Sequence, residues 1–469
     1  MSQLQNKYLN QFETLKKNQY KIGNTNYKTR IKKLKALKIA LEKTYKKQLQ
    51  EAMYNDFKKH HLEVDISEIY TVLTEIKYAI KHLKNWMKKQ RVKKPLVLFG
   101  STSWIQHQPK GICLIISPWN YPINLTFAPL VSAIAAGNTV IIKPSEITSH
   151  TSAVMNTIIE SIFNDDEIKM IQGDVDTSTE LLKLPFNHIF FTGSPKVGKI
   201  VMQAAAKNLS SVTLELGGKS PAIIDKSAKI NTAAKHIAWG KTLNNGQTCI
   251  APDYALIHET VKDEFIESLK KWFIKYYTKQ VKNSSDYCRI VNKNHFNRIK
   301  KLIDDATQKG AKIAYGGHTD EKDNFIEPTI ISDLPNNALI LNEEIFGPAL
   351  PILTYKNINE VTTYINAKKI PLALYIFSKR KKNINYIIEN TSAGTTCINT
   401  NMTHFGNPNL PFGGTNNSGF GKSHGYFGFE AFSNKRPVLK QNYKALSELL
   451  YPPFNTFKEK IMNFTLKWL

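Results

Sequence analysis

Cysteine is scarce in this chain of 469 residues: there are four thiols, at positions 113, 249, 288 and 397. None forms a Cys-x-x-Cys pair, so neither a zinc knuckle nor a redox dithiol is indicated. His60-His61 and His424 have no ligand-spaced companions, and no metal site is expected. Long apolar runs are also missing. No stretch reaches the roughly 18 residues that a spanning helix needs. The first residues, Met1-Ser2-Gln3-Leu4-Gln5-Asn6-Lys7, hold no apolar core of a secretory signal. Few cysteines and no such signal point to a cytoplasmic setting. Acidic residues are outnumbered, 38 Asp and Glu against 64 Lys and Arg, which leaves a net charge of +26. The lysines are dispersed, as in Lys32-Lys33, Lys58-Lys59, Lys88-Lys89 and Arg380-Lys381-Lys382. A nucleic-acid partner would require a basic stripe interleaved with aromatics or a binding motif, and neither is present. Weak attraction to an anionic membrane surface suits the charge better. There is no internal repeat, no low-complexity linker and no GxGxxG fingerprint.

A chain this long can bury more than one core. Gly111-Ile112-Cys113-Leu114-Ile115-Ile116 reads as a buried strand that stops at Pro118 and leaves Asn120 just beyond its end. Asn138–Ile142 is a second strand, with Lys143 and Glu146 at its rim around Pro144. His188–Thr192 runs into Gly193-Ser194-Pro195-Lys196-Val197-Gly198, with a helix from about Lys199. Val212–Leu216 carries Glu215 and ends at Gly217-Gly218. Strands alternating with helices, with polar residues gathered at strand ends, predict a doubly wound parallel sheet of α/β class. Ligands of such sheets sit outside the carboxyl ends of the strands. Cys249 lies in Asn244-Asn245-Gly246-Gln247-Thr248-Cys249-Ile250-Ala251-Pro252. That small, polar flank suits a thiol presented at the floor of a cleft, although a core turn would also accommodate a small hydrophobe there.

Seven ordered segments resemble the aldehyde dehydrogenase superfamily, and in detail its class 3 branch of fatty and aromatic aldehyde enzymes. They are Pro118-Trp119-Asn120-Tyr121-Pro122, Lys143-Pro144-Ser145-Glu146, Phe191-Thr192-Gly193-Ser194, Leu214-Glu215-Leu216-Gly217-Gly218-Lys219, Gly246–Tyr254, Glu343-Glu344-Ile345-Phe346-Gly347-Pro348 and Leu410-Pro411-Phe412-Gly413-Gly414. The resemblance implies NAD(P)-dependent oxidation of a hydrophobic aldehyde to a carboxylate. Cys249 would be the nucleophile, because a thiohemiacetal oxyanion expels hydride far more readily than a planar carbonyl. The Asn120 amide and the Cys249 N–H would hold the oxyanion. Glu215 would activate the water that hydrolyses the thioester. Acyl transfer to coenzyme A is the alternative chemistry, and a non-catalytic binding protein on the same scaffold is the alternative class.

The resemblance also implies the cofactor contacts. Gly193, Ser194, Pro195, Lys196, Val197 and Gly198 would open a helix whose N–H groups favour a pyrophosphate. Pro195 stands where threonine is commoner, which removes a hydroxyl and a donor, yet proline suits a first helical position. Lys143 and Glu146 would meet the adenosine ribose, Glu344 the nicotinamide ribose, and Phe346 would pack beside the nicotinamide. A carboxylate at 146 favours NAD over NADP, while the class 3 branch takes both.

The implied organisation is an NAD(P)-binding domain from residues 1–90 and 109–215 and a second α/β catalytic domain from 216–393. A small protruding β element, from 91–108 and 394–440, would join two subunits into a homodimer. It would begin with a hairpin of Pro95–Phe99 and Thr102–Gln106 around Gly100-Ser101. The amino-terminal 90 residues read as helical, with stripes at Leu34, Leu37 and Leu41 and at Ile69, Leu73, Ile76, Ile80 and Leu83. In the tail, 441–469, Phe454, Phe457, Ile461, Phe464 and Trp468 form one amphipathic helical stripe. It is compatible with docking on the body or partner, with covering the substrate funnel, or with a membrane interface. Tyr121, His404 and Phe405 are the candidate funnel residues.

Overall fold

The computed structural model describes residues 6–95, 98–441, 448 and 451–468. Two large, mostly parallel sheets organise it. The first has six strands, in the spatial order Gly419–Phe420, Ser211–Leu216, His188–Gly193, Ile112–Ile116, Thr139–Lys143 and Ile168–Met170. All pairings are parallel except that of Gly419–Phe420 with Ser211–Leu216. Ile112–Ile116 and Thr139–Lys143 are buried along their whole length, as expected of parallel strands covered on both faces. Strand order reverses between Ile112–Ile116 and His188–Gly193. The chain ends leaving this reversal carry Pro118-Trp119-Asn120 on one side and Gly193-Ser194 on the other. That is where an open α/β sheet binds its ligand.

The second sheet has seven strands, in the order Lys312–Tyr315, Thr329–Ser332, Ala349–Tyr355, Tyr254–His258, Pro221–Ile224, Ala373–Phe377 and Thr395–Ile398. It is parallel apart from its first pairing. Thr395–Ile398 thus extends the second sheet beyond residue 393, where a boundary was expected. Gly419–Phe420 likewise returns from the expected bridging segment to the first sheet.

The amino-terminal helices pack on the first sheet through the predicted stripes: Leu34, Leu37, Leu41, Ile76 and Leu83 are fully buried. Helix Pro122–Ala136 is buried along almost its whole length and forms the centre of that core. The protruding element is a three-stranded antiparallel sheet of Gln90–Arg91, Thr102–Pro109 and Ser433–Lys440. The expected hairpin differs: Thr102–Pro109 pairs with Gln90–Arg91 rather than with 95–99, and Leu96 and Val97 lie outside the described residues.

The helix after Gly193 begins at Pro195, not near Lys199, because Ser194 caps it: its Oγ accepts the Val197 N–H at 3.3 Å, and proline takes the first helical position. The tail forms helix Thr456–Trp468. Its stripe is not sequestered, since Phe454, Phe457 and Phe464 are each more than 60% exposed. Among the described residues, no helix is long and apolar enough to cross a membrane.

Candidate active site

A cleft of about 310 Å³ lies between the two sheets and gathers residues from six separate segments, one of them carrying His295 and Arg298. Asn120, Gly193, Ser194, Glu215, Cys249, Glu344 and Phe346 all line it. Sequence positions up to 226 apart (120 to 346) are thereby brought to one place.

The thiol is delivered by an unusual turn. Asn244, Asn245 and Gly246 are consecutively left-handed, with φ of 53°, 56° and 71°. Asparagine tolerates that region better than most residues, and Gly246 is required there. A Cβ at 246 would sit 2.3 Å from the Gly347 carbonyl oxygen. The turn is fixed by its own polar side chains. Asn244 Nδ2 donates to the carbonyls of Asn120 and Gln247 at 2.9 and 3.0 Å, and Gln247 Nε2 donates to Arg289 O at 3.0 Å. Asn120 Nδ2 donates to the Gln247 carbonyl at 3.0 Å, which leaves its second N–H for the cleft. The small polar flank read from the sequence is therefore a buried hydrogen-bonded scaffold under the sulfur.

Burial, and after it the Glu344 and Glu215 carboxylates, raise the Cys249 thiol to about 12 against a lowering by the Cys249 and Ile250 N–H groups. The thiol is thus protonated at neutral pH in this state. Cys113 and Cys288 are wholly buried, and burial also pushes their thiols up. Cys397 bonds His404 Nδ1 through sulfur at 3.1 Å. Among the four, only Cys249 is partly accessible.

Glu215 ends its strand with both oxygens buried. Oε1 accepts the Ser423 hydroxyl at 2.9 Å, and Oε2 has no protein partner. Burial raises the carboxyl to about 8, against smaller lowering by Ser423 and by Lys422. Such a group is poised to take up a proton near neutral pH.

Glu344 is also raised to about 8 by burial and by Asp253, with a lowering contribution from the Gly218 N–H. Its loop is clamped from below. Arg298 donates to the Glu344 and Ile345 carbonyls at 3.0 and 2.5 Å, and Lys219 donates to the Ile340 and Glu343 carbonyls at 2.8 and 2.7 Å. Lys219 also pairs with Asp253, whose other oxygen accepts the Ile345 N–H at 2.9 Å. Gly217 lies so close that a Cβ there would be 2.3 Å from Glu344 Oε2. Phe346 sits edge-on to Trp119 at 5.4 Å between ring centroids.

Lys143 and Glu146 lie apart from the cleft lining. The buried Lys143 ammonium donates to Glu146 Oε2 at 3.0 Å and to the Pro144 carbonyl at 2.8 Å. Of the helix opening at Pro195, the Val197 N–H goes to Ser194 Oγ and the Gly198 N–H to the Ser194 carbonyl. Pro195 has none to give. Lys196 therefore offers the first-turn N–H for an anion. A dinucleotide fits this donor set: carboxylates stand ready for ribose hydroxyls, and a helix start faces the strand reversal. Among the described residues no cluster could hold a metal.

The candidate funnel residues behave differently from the rest. Tyr121 is buried, and its hydroxyl meets Thr248 Oγ1 at 2.7 Å, so it braces the thiol loop. His404 bonds Cys397, and Phe405 packs edge-on against His424 at 4.4 Å, both outside the cleft. The sequence reading passed over Lys219, Asp253 and Arg298. Lys219 and Asp253 stand within quoted motifs but carried no role, while nothing in its own neighbourhood singles out Arg298. It also missed an ionic group beneath the site. The fully buried Lys59 lies 4.2 Å from the Tyr121 ring centroid and 3.6 Å from Glu68 Oε1. Glu68 accepts the Asn124 N–H at 2.7 Å, and Glu63 the Asn244 N–H at 2.8 Å.

A fold of two mostly parallel sheets, with a partly accessible thiol and two buried carboxylates lining the cleft between them, defines a class of α/β oxidoreductases. The chain belongs to the aldehyde dehydrogenase family, whose family model matches residues 6–438. It is 44% identical over 425 residues to 4,4'-diaponeurosporen-aldehyde dehydrogenase of Staphylococcus aureus, covering 91% of this chain and 92% of that one. It is 42% identical over 439 residues to aldehyde dehydrogenase family 3 member A2 of Rattus norvegicus, covering 93% and 90%. With the dimeric NADP-preferring aldehyde dehydrogenase of Mus musculus it shares 41% over 426 residues, covering 90% and 93%. A structure described as the substrate-bound state of Staphylococcus aureus AldH superposes with a TM-score of 0.94 at 41% identity, over 98% and 99% of the two chains. The protein is an oxidoreductase acting on aldehydes, of a family that uses NAD(P).

Proposed function

We propose that the protein oxidises hydrophobic aldehydes, medium- or long-chain or aromatic, to carboxylates through an acyl intermediate on Cys249. The observation that carries this reading is the convergence of Cys249, Asn120, Glu215 and Glu344 on one cleft. Cys249 starts as a thiol, and Glu215, with Oε2 unpartnered in the same cleft, accepts its proton as sulfur adds to the carbonyl. The Asn120 amide and the Cys249 N–H receive the oxyanion. A nicotinamide dinucleotide, held by Glu344, Lys143, Glu146 and the Gly193–Gly198 segment, would supply the hydride acceptor for oxidation of the thiohemiacetal to a thioester. Once the thioester has formed, Glu215 gives up the thiol proton to solvent and, again a carboxylate, takes a proton from water as the water oxygen joins the acyl carbon. The C–S bond breaks, the remaining proton of the acid passes to the departing Cys249 sulfur, and the carboxylate leaves.

Glu344, fixed by Arg298 and the Lys219–Asp253 pair, is assigned to ribose hydroxyls, as are Lys143 and Glu146. Gly193 to Gly198 are assigned to the pyrophosphate, and Phe346 to the nicotinamide edge. The carboxylate at 146 supports NAD as the preferred cofactor, while the NADP-preferring mouse relative supports use of NADP as well. Hydrolysis is favoured over transfer to coenzyme A by the position of Glu215.

The strand Ser433–Lys440 at the edge of the protruding sheet supports assembly as a homodimer. The exposed aromatic stripe of Thr456–Trp468, with Lys458, Lys460 and Lys467, supports peripheral contact with an anionic membrane surface. A cytoplasmic location is part of the same reading.

The test is a panel of aldehydes of graded length with NAD and with NADP, run on the wild type and on Cys249→Ala. The reading predicts NADH formation that rises with chain length and vanishes in the variant, whose NAD binding persists. Undiminished activity in Cys249→Ala contradicts it.

A further inference from the structure

Three buried polar atoms without protein partners border a single small cavity behind Glu215: Glu215 Oε2, Thr192 Oγ1 and His424 Nδ1. Its volume of about 20 Å³ suffices for one water. A buried water needs two to four polar partners, which is what these groups offer. Glu75 lines the same cavity, with Oε1 3.7 Å from His424 Nδ1, and Oε2 accepts the Gly425 N–H at 2.9 Å. A second cavity of similar size shares the Glu75, His424 and Phe405 walls and is bordered on its far side by Tyr70, which is 62% exposed.

We infer that an ordered water in this cavity links Glu215 to the His424–Glu75 pair, and that protons gathered by Glu215 leave the active site by this route toward the surface at Tyr70. The inference rests on the proposed role of Glu215 as base. In each turnover water attacks the thioester, its O–H bond breaks as the C–O bond forms, and Glu215 becomes a neutral acid. The cavity water accepts that proton and passes one of its own to the Glu75 carboxylate beside His424. Glu75 then releases it through the second cavity to solvent, and Glu215 is again a carboxylate. No oxidant or second substrate takes part, and charge and atoms balance.

The groups facing the cavity make the direction reasonable. Burial raises Glu75 to about 7, with the Gly425 N–H pulling it back, close to the value near 8 of Glu215. His424 is driven down to about 3 by burial and by His404, so it orients the water rather than storing the proton. Lys422 faces Glu215 from the neighbouring segment, and Cys249 faces it across the cleft. Helix Pro122–Ala136 and strand His188–Gly193 contribute to this cavity only Leu125, Ala128, Pro129, Ser132, Phe190 and Thr192, none of them charged.

Glu75→Gln keeps the acceptor for Gly425 but cannot carry a proton. With a rapid-quench assay, the expected result is an unchanged burst of NADH followed by steady-state turnover about tenfold slower, less than the 10²–10⁴ lost when a general base is itself removed, because Glu215 is retained. The solvent deuterium isotope effect on the slow phase should grow, and Glu75→Asp should recover part of the rate. Thr192→Val, which removes one partner of the water, should shift the same two readouts in the same direction. Turnover within twofold of wild type in both variants overturns the relay. So does an equal fall in burst and steady-state rates, which would mean that Glu75 only shapes the site. If the wild type itself shows neither a burst nor an acyl adduct, the role of Glu215 is at fault instead.

Discussion

Glu215→Gln is the substitution with the most consequences. Glutamine keeps an oxygen at Oε1 to accept the Ser423 hydroxyl, now at 2.9 Å, so the side chain retains its anchor. It loses the capacity to bind a proton. General-base assistance contributes about 10²–10⁴ in rate, so deacylation should slow by that factor while acylation, measured above pH 9, where hydroxide competes as base, slows less. Rapid mixing with excess aldehyde and NAD should then show about one NADH per active site followed by a strongly reduced steady rate. The wild-type rate should rise with pH through a midpoint near 8, the value set by burial of Glu215, and the variant should lack that limb.

Stability supplies an independent check. The folded carboxyl is raised well above its unfolded value of about 4.3. The stability it contributes is therefore fully present below about pH 4 and is lost as pH rises through 8. Glutamine removes this penalty, so the Tm difference, variant minus wild type, should increase from pH 5 to pH 9. A steady-state rate within threefold of wild type, together with an unchanged Tm difference across that range, refutes the assigned environment and role.

Three further outcomes follow from the geometry. Asn120→Ala removes an oxyanion donor and should lower kcat by about 10²–10³; a kcat within fivefold of wild type removes Asn120 from that role. Glu344→Gln takes away a carboxylate that raises the Cys249 thiol, so iodoacetamide should alkylate Cys249 faster at pH 9 than in wild type; an equal or slower rate contradicts that electrostatic account. Truncation after Tyr451 removes the exposed aromatic stripe and should lower kcat/KM for hexadecanal presented in anionic vesicles more than for soluble hexanal. Identical ratios of the two constants before and after truncation exclude a part for that helix.

Much of this arrangement was legible in the sequence because parallel strands announce themselves as short apolar runs. Ile112–Ile116, Thr139–Lys143 and His188–Gly193 all fall on such runs, and the residues at or beyond the ends of the first and third of them, Asn120 and Gly193-Ser194, line the cleft, while Lys143 and Glu146 at the end of the second lie apart from it. The thiol was legible for a similar reason, since two asparagines and a glycine in succession favour a left-handed turn. What was hidden depends on distance. Arg298 reaches back to the Glu344 loop from a helix whose own pattern is merely amphipathic. Glu75 lies within an apolar helical stripe, and only the fold reveals that it faces His424, 349 positions away. The Pro95–Phe99 hairpin was misjudged because pairing partners are set by the sheet: the antiparallel strand Ser433–Lys440 fixes one edge of Thr102–Pro109, and Gln90–Arg91 takes the other. The tail stripe gave the right helix but not its cover, since periodicity cannot tell an apolar face that packs from one that stays exposed.

The central claim is that the acyl group passes through the Cys249 sulfur. Mass spectrometry of Glu215→Gln, quenched after one turnover with a long-chain aldehyde and NAD, tests it most directly. The account predicts a thioester of the corresponding acid on the peptide carrying Cys249. NADH formation with the acyl mass on another residue, or on none, contradicts it.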